Sequence, residues 1–470
     1  MIPAQELVER GIAAADALGA DGCIVLVEEA SHVDVRYALN TTTTNGEQRG
    51  RSVSVIALNG KSFGSARRTG EVGAGGVAEM AAAALADAQA APPATDAFPL
   101  VLPSETRPAD GRDFGLDPVS TDSAALEVVL SALSGAFARA RARDAVLAGF
   151  AEQDIVTLYL GSSTGVRLSH IQPTGAVSLV GRTADGTGSA WVGEPTIAPS
   201  LERMEQEVWR RLDWATTQVA LEPGRYEVIM PPSAVSDMMG VLAFDAFGGQ
   251  DAEDGRTVFS REGGGTRVGE TITTLPFTLS SDPFEERIAC TPFVATSASG
   301  SETSVFDNGL PSERTDWLHD GVLARLRYHR AGAARSGVAM APYIDNLILR
   351  CGDGGGDGGS GGGSVDDMVA RTERGLLLTC LWYIREVDPA TLLCTGLTRD
   401  GVYVVENGAV VGAANNFRFN ESPVDLLRRA TEVGTPVRAL GRELGEYLNR
   451  TIMPPLRIPD FNMSSVSQAS

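Results

Sequence analysis

The sequence predicts an α+β protein, an N-terminal antiparallel sheet with packed helices followed by a β-rich C-terminal domain. Three patterns carry this. Leu7, Val8, Ile12, Ala15 and Leu18 recur at helical spacing near the start. The runs 23–27, 32–37 and 52–58 are apolar or alternating and follow one another as the strands of a meander do. Beyond Pro223, short strand-like runs dominate, and Gly, Asn or Asp separates most of them. A length of 470 residues accommodates two such domains, expected at 1–220 and 221–470.

The elements follow in order. A helix over 4–18 stops at Gly19, the three strands come next, and Asn59-Gly60 signals a hairpin into 61–66. An Ala-rich helix over 75–91 leads to a connection rich in Pro and Asp at 92–118. A long helix over 121–143, strands through 145–193 and an amphipathic helix over 199–219 complete the first domain. A strand at 226–230 then runs through Pro231-Pro232 into a helix over 233–247, ended by Gly248-Gly249. Strands are expected at 304–308, 321–328, 344–350, 375–385, 392–398, 401–406 and 409–411. The Gly/Ser/Asp tract at 352–364 offers almost nothing to bury and is expected to be a flexible loop.

Composition narrows the function. Lys and Arg number 39 against 60 Asp and Glu, a net charge of −21, and no basic run offsets it. Phosphate backbones and anionic membrane surfaces are therefore poor partners. No run of about 18 apolar residues and no basic leader is evident, so a cytoplasmic location is expected. The five cysteines are scattered without a C-x-x-C pair, as reduced thiols would be.

Candidate motifs compete with plainer readings. Gly161-Ser162-Ser163-Thr164-Gly165 has the G-x-S-x-G pattern, but strands on both sides make it a hairpin turn rather than a nucleophile elbow around Ser163. The acidic groups Glu285-Glu286, Asp366-Asp367 and Asp251, Glu253, Asp254 read as solvated loops. His319 and His329 fall at an even separation on an expected hairpin, on one face, without a further ligand at zinc spacing. Trp382 and Tyr383 read as core and cross-strand aromatics.

Two stretches, FDNGLPSERTDWLHDGVLARLRYHRAGAARSG and GLLLTCLWYIREVDPATLLCTGLTRDGVYVVENGAVVGAANNFRFNESPVDLL, resemble the TldD/PmbA family, specifically its TldE (PmbA) branch. That resemblance implies a heterodimeric metallopeptidase of bacteria and archaea that trims peptides, with zinc held by the TldD-type partner. TldD-type members carry H-E-x-x-x-H on a helix and a later Cys. Imidazoles and a thiolate hold the metal with one position open, and the Glu takes the proton of the bound water. The motif positions here fall on Phe244, Asp245 and Gly249, and no histidine lies between His170 and His319, nor any cysteine beyond Cys394. The resemblance thus implies no catalytic residue and no cofactor in this chain, a TldD-type partner, and a peptide substrate held on strand edges. Phe247, Trp382 and Tyr383, within 244–249 and 375–387, are candidates for lining the shared cavity. The alternatives are a self-sufficient hydrolase with a cryptic site and a homodimeric scaffold without catalysis.

Overall fold

The structure, a computed structural model, describes residues 2–107, 114–352 and 363–468. Most of the Gly tract and part of the 92–118 connection lie outside the described residues.

The first sheet is built from β1 (Gly22–Ala38), β2 (Thr41–Asn59), β3 (Ser62–Thr69), β4 (Ala145–Ser162), β5 (Arg167–Thr183) and β6 (Ser189–Glu194). It is antiparallel throughout, in the order β3-β2-β1-β4-β5-β6. Because side chains alternate along a strand, each strand serves two layers. Val25, Val27, Val53 and Val55 face the helices α1 (Ala4–Ala17) and α2 (Ala74–Ala90). Val33, Val35, Leu147 and Val177 face α3 (Glu127–Ala142) and α4 (Leu201–Trp214). Ile24, Leu26, Leu158 and Leu160 point the other way and bury Phe293, Val305 and Phe306 of the C-terminal half. The segment Ser123–Ala142 is, among the described residues, long and apolar enough by length and composition to cross a membrane. Here Val129, Leu133, Ala136, Phe137 and Ala140 of that segment pack on the sheet.

Several elements depart from the sequence reading for identifiable reasons. The two runs at 23–27 and 32–37 form one strand, because Glu29 in the apparent gap lies opposite Arg51 of β2 and accepts its Nε at 2.7 Å. The hairpin turn is Gly60-Lys61 rather than Asn59-Gly60: Asn59 pairs with Ser62, and Gly60 takes φ +59°. The helix expected to reach 219 ends at Trp214, and Gln218–Val219 becomes a strand beside Ala413–Ala414. Residues 304–308 form a 3-10 turn, Val305–Asp307, instead of a strand. Of 321–328 only Val322–Leu323 is a strand, because Arg327 and Tyr328 pair individually with Gly248 and Ala341. His319 is consequently exposed at a strand end, whereas buried His329 caps the short helix Arg330–Ser336, its Nδ1 accepting from Gly332 N at 3.1 Å. The expected 375–385 strand is two strands of one sheet, Arg374–Leu378 in its interior and Leu381–Asp388 at its edge.

The C-terminal half carries two further sheets. One runs Val322–Leu323, Thr315–His319, Phe277–Ser281, Leu347–Cys351, Thr451–Met453, Val437–Ala439. The larger runs from Leu381–Asp388 through Leu393–Thr398, Phe417–Glu421, Leu456–Val466, Gly224–Met230, Arg374–Leu378, Val402–Glu406 and Ala409–Ala414 to Gln218–Val219. Packed against both is α5 (Pro232–Asp245), whose residues 234–242 are all buried, as befits a helix apolar on every side. Its one buried charge is Asp237, which accepts the N–H groups of Arg442, Glu443 and Leu444 at 2.9–3.1 Å. Burial pushes its carboxyl up to about 7, and the three N–H bonds only partly oppose that. A folded-state pKa above the ordinary 3.8 makes protonation favour folding, so this contribution is present at low pH and lost as pH climbs through about 7. The stability advantage of wild type over Asp237→Asn is therefore expected to shrink from pH 5 to pH 8 in urea melts. An advantage that grows with pH would show that the N–H bonds outweigh desolvation.

Candidate functional site

The end of α5 and the start of α6 (Gly249–Glu253) hold the three positions singled out in the sequence. Phe244 is half-buried, and Asp245 stands exposed at the helix end. Loss of water around its carboxyl still pushes Asp245 above the usual carboxylate range, with Arg327 pulling the other way. The predicted role of Gly248-Gly249 as a helix stop is replaced by a packing role. Gly249 N donates to Arg327 O at 2.9 Å, and a Cβ on Gly249 would lie 2.1 Å from the ring of Tyr328. That ring is anchored by its hydroxyl, which donates to Glu253 Oε1 at 2.8 Å. No side chain, imidazole least of all, fits at 249 unless Tyr328 moves. Phe244, Asp245 and Gly249 thus do not fit a zinc ion. Among the described residues no group of three or more His, Cys, Asp or Glu is placed to hold a metal. Gly249→Ala should lower stability by about 1–3 kcal/mol, the usual cost of overpacking, read as a drop in denaturation midpoint. An unchanged midpoint would mean that Tyr328 yields.

Behind this junction lies a cavity of about 400 Å³ between the first sheet and the C-terminal half. Buried Arg327 joins the two places. Its Nη2 donates to Ala243 O at the end of α5, its Nε lies 2.9 Å from Glu302 on the cavity wall, and its guanidinium sits 5.5 Å over the Tyr343 ring. Burial pushes Arg327 down and Glu302 up from their ordinary values, and the attraction between them opposes both shifts. One cavity wall is the sheet face, with Leu26, Ser52, Ser54, Leu158 and Thr174. The other combines residues 291–297, 302–304 and 340–345 with Arg450. Arg450 crosses between the walls, binding Asp345 Oδ2 at 2.5 Å and the Thr174 hydroxyl. Tyr343 donates to Asp345 Oδ1 at 3.1 Å, and burial pushes Asp345 up against the pull of Arg450.

All four carboxylates lining the cavity face an arginine: Glu28–Arg67 at 3.4 Å, Glu302–Arg327 at 2.9 Å, Asp307–Arg330 at 2.7 Å and Asp345–Arg450 at 2.5 Å. The lining is thereby charge-balanced, and hydroxyl and main-chain groups are left to meet a ligand. The nominated aromatics sit elsewhere. Phe247 is 1% exposed and packs on Phe259 and Trp317 at ring distances of 5.3 and 5.6 Å. Trp382 lies half-buried under Arg399 and Arg442, and Tyr383, far from being a core aromatic, is 55% exposed on the edge strand. Glu302, Tyr343, Asp345 and Arg450 escaped sequence reasoning, since nothing local links positions so far apart. A usable signal did exist in FDNGLP, because Asn308 pins Thr296 through N–H···Oδ1 at 2.7 Å and Nδ2–H···O at 2.8 Å.

A family model described as the PmbA/TldA metallopeptidase C-terminal domain matches residues 223–465, just over half of the chain. No curated protein matches in sequence. Among solved structures, TldE from Thermococcus kodakarensis superposes with a TM-score of 0.77 at 17% identity, over 97% of this chain and 99% of that one. A protein described as a modulator of DNA gyrase from Bacteroides thetaiotaomicron gives 0.76 at 14% identity, over 98% and 99%. Another so described, from Thermotoga maritima, gives 0.74 at 16%, over 97% and 99%. The fold is shared along the whole length of each.

Proposed function

The chain belongs to the TldD/PmbA family, and from that premise we propose that it is a TldE-type subunit without zinc, closing one side of a peptide-binding cavity shared with a zinc-carrying TldD-type peptidase. The observation that carries this reading is the Tyr328 ring 2.1 Å from any Cβ at Gly249, where a metal-binding imidazole would otherwise stand. Metal chemistry of the H-E-x-x-x-H kind needs imidazoles there, so the reading assigns it to the partner. The role left to this chain is to bind and orient, and a charge-balanced, hydroxyl-lined cavity beside the α5–α6 junction suits a polypeptide main chain. Metal analysis of the chain purified alone, and its co-purification with an H-E-x-x-x-H protein from native extract, test the proposal. Stoichiometric zinc or iron in the isolated chain would sink it. Recovery only as a homodimer, with that partner present in the extract, would favour the scaffold reading.

A further inference from the structure

Helix α5 begins at a second cleft, of about 560 Å³, between the first domain and the C-terminal half. The 14 residues of the helix set this end about 20 Å from the α5–α6 junction. Pro231 caps the helix without a side-chain bond, and Pro232 at its first position has no N–H. The N–H groups of Ser233 and Ala234 have no acceptor among the described residues. An open helix start is not a site by itself, but a buried side chain with an unpartnered polar atom ends beside it. The Ser233 hydroxyl donates to Thr379 O at 3.4 Å, and Thr379 lines the cleft. A Cβ built on Gly401 would fall 2.3 Å from the Thr379 hydroxyl and 3.0 Å from the Tyr403 hydroxyl, so the phenol reaches the cleft floor next to the helix start. Tyr403 is fully buried, and its hydroxyl has no partner among the described residues. Burial pushes that hydroxyl well above its ordinary range, which keeps it a proton donor.

Every carboxylate of this cleft is engaged, and one cation is not. Glu194 pairs with Arg203 at 2.9 Å, Glu207 with Arg211 at 2.7 Å and Asp366 with Arg210 at 2.9 Å, while Asp367 accepts the Ser364 N–H at 2.8 Å. Asp400, which also acts on the Tyr403 hydroxyl, is held by Ser189 and lies 3.5 Å from Arg399. Arg438 on the cleft wall has no ion pair among the described residues, and its Nη2 donates to Pro195 O. Arg287 and Arg450 stand near enough to repel it. The remaining wall is apolar, with Pro231, Leu377, Val437, Leu440 and Pro455. We propose that this cleft binds a small monocarboxylate with an apolar body. The two free N–H groups of α5 and the Tyr403 hydroxyl take the carboxylate oxygens, Arg438 supplies the unmatched positive charge, and the body lies along the apolar wall. Three donors match the two oxygens of a carboxylate, whereas a phosphate would bring a second charge that nothing in the cleft balances. The assignment goes beyond the reading above and does not depend on it.

The test follows para-fluorophenylacetate by fluorine NMR against the full chain, with the uncharged para-fluorophenylacetamide beside it. The acid should bind saturably, and about tenfold or more tighter than the amide. Tyr403→Phe should weaken the acid about tenfold, the loss expected for a hydrogen bond to a charged group. The same variant should leave the urea midpoint of the free chain unchanged or higher, because the hydroxyl removed has no partner. Arg438→Gln, at an exposed position, should weaken the acid and flatten its salt dependence while amide binding stays as it was. Hydrogen exchange at Ser233 and Ala234 should slow with the acid bound. No binding at millimolar acid, equal binding of acid and amide, acid binding unchanged in either variant, unchanged exchange at 233 and 234, or a lower midpoint for Tyr403→Phe would each overturn the proposal. Peptide cleavage, metal content and partner assembly are measured separately, so failure here leaves the subunit reading standing, and failure of that reading leaves this cleft intact.

Discussion

Purified alone, the chain is expected to cleave no peptide, and mixing it with an H-E-x-x-x-H partner should produce cleavage that chelators abolish. Neither Phe244 nor Gly249 can bind zinc, and Asp245 makes no hydrogen bond among the described residues that would aim it at a reacting water. Replacing the motif Glu of the partner by Gln should lower kcat by about 10²–10⁴-fold, the range for loss of a general base. Asp245→Ala should change it by less than about twofold, because on the subunit reading the partner's motif Glu, and not Asp245, takes the proton of the metal-bound water. The measurement is kcat of the mixed pair, with assembly checked by gel filtration. Chelator-sensitive turnover by the chain alone, or a hundredfold loss from Asp245→Ala with assembly intact, would place catalysis here and defeat the subunit reading.

The parts of this architecture governed by local pattern were legible. The helix from Leu7 to Ala15 ends where Gly19 takes φ +82° and Ala20 N reaches back to Ala15 O, as the spacing of apolar residues and the glycine implied. Positions whose logic is cross-strand were not legible: Glu29 looks like a strand break until Arg51 stands opposite it. The same holds at the α5–α6 junction. Gly248 and Gly249 carry the composition of a helix stop, yet what they permit is the close approach of Arg327 and Tyr328, nearly 80 residues later in the chain. The resemblance pointed to the junction at Phe244, Asp245 and Gly249, but the cavity behind it depends on Glu302, Tyr343, Asp345 and Arg450 meeting in space. Periodicity carries no information about such a meeting.

The largest stability effect should come from Asp307, the acidic residue of FDNGLP. Its carboxylate is 2% exposed and meets the guanidinium of Arg330 at 2.7 Å and the Arg330 main-chain N–H at 2.9 Å. Arg330 in turn donates to Pro99 O at 2.8 Å and to Phe306 O at 2.5 Å, and its guanidinium lies 4.8 Å over Phe98. Residues 96–99 come from the connection that follows α2, and Asp96 accepts the hydroxyls of Ser299 and Ser304 at 2.6 and 2.7 Å. Asp307 and Arg330 therefore fasten that connection to the wall of the cavity. Asp307→Ala leaves a buried guanidinium uncompensated, which typically costs about 3–5 kcal/mol, whereas Asp307→Asn keeps one acceptor and should cost less. Urea denaturation measures both variants. If fastening is the role, hydrogen exchange in Asp307→Asn should speed up along 96–101 and 293–297 before the rest of the chain. A loss below about 1 kcal/mol for Asp307→Ala would mean that water already reaches Arg330 and that the connection is held by Asp96 instead.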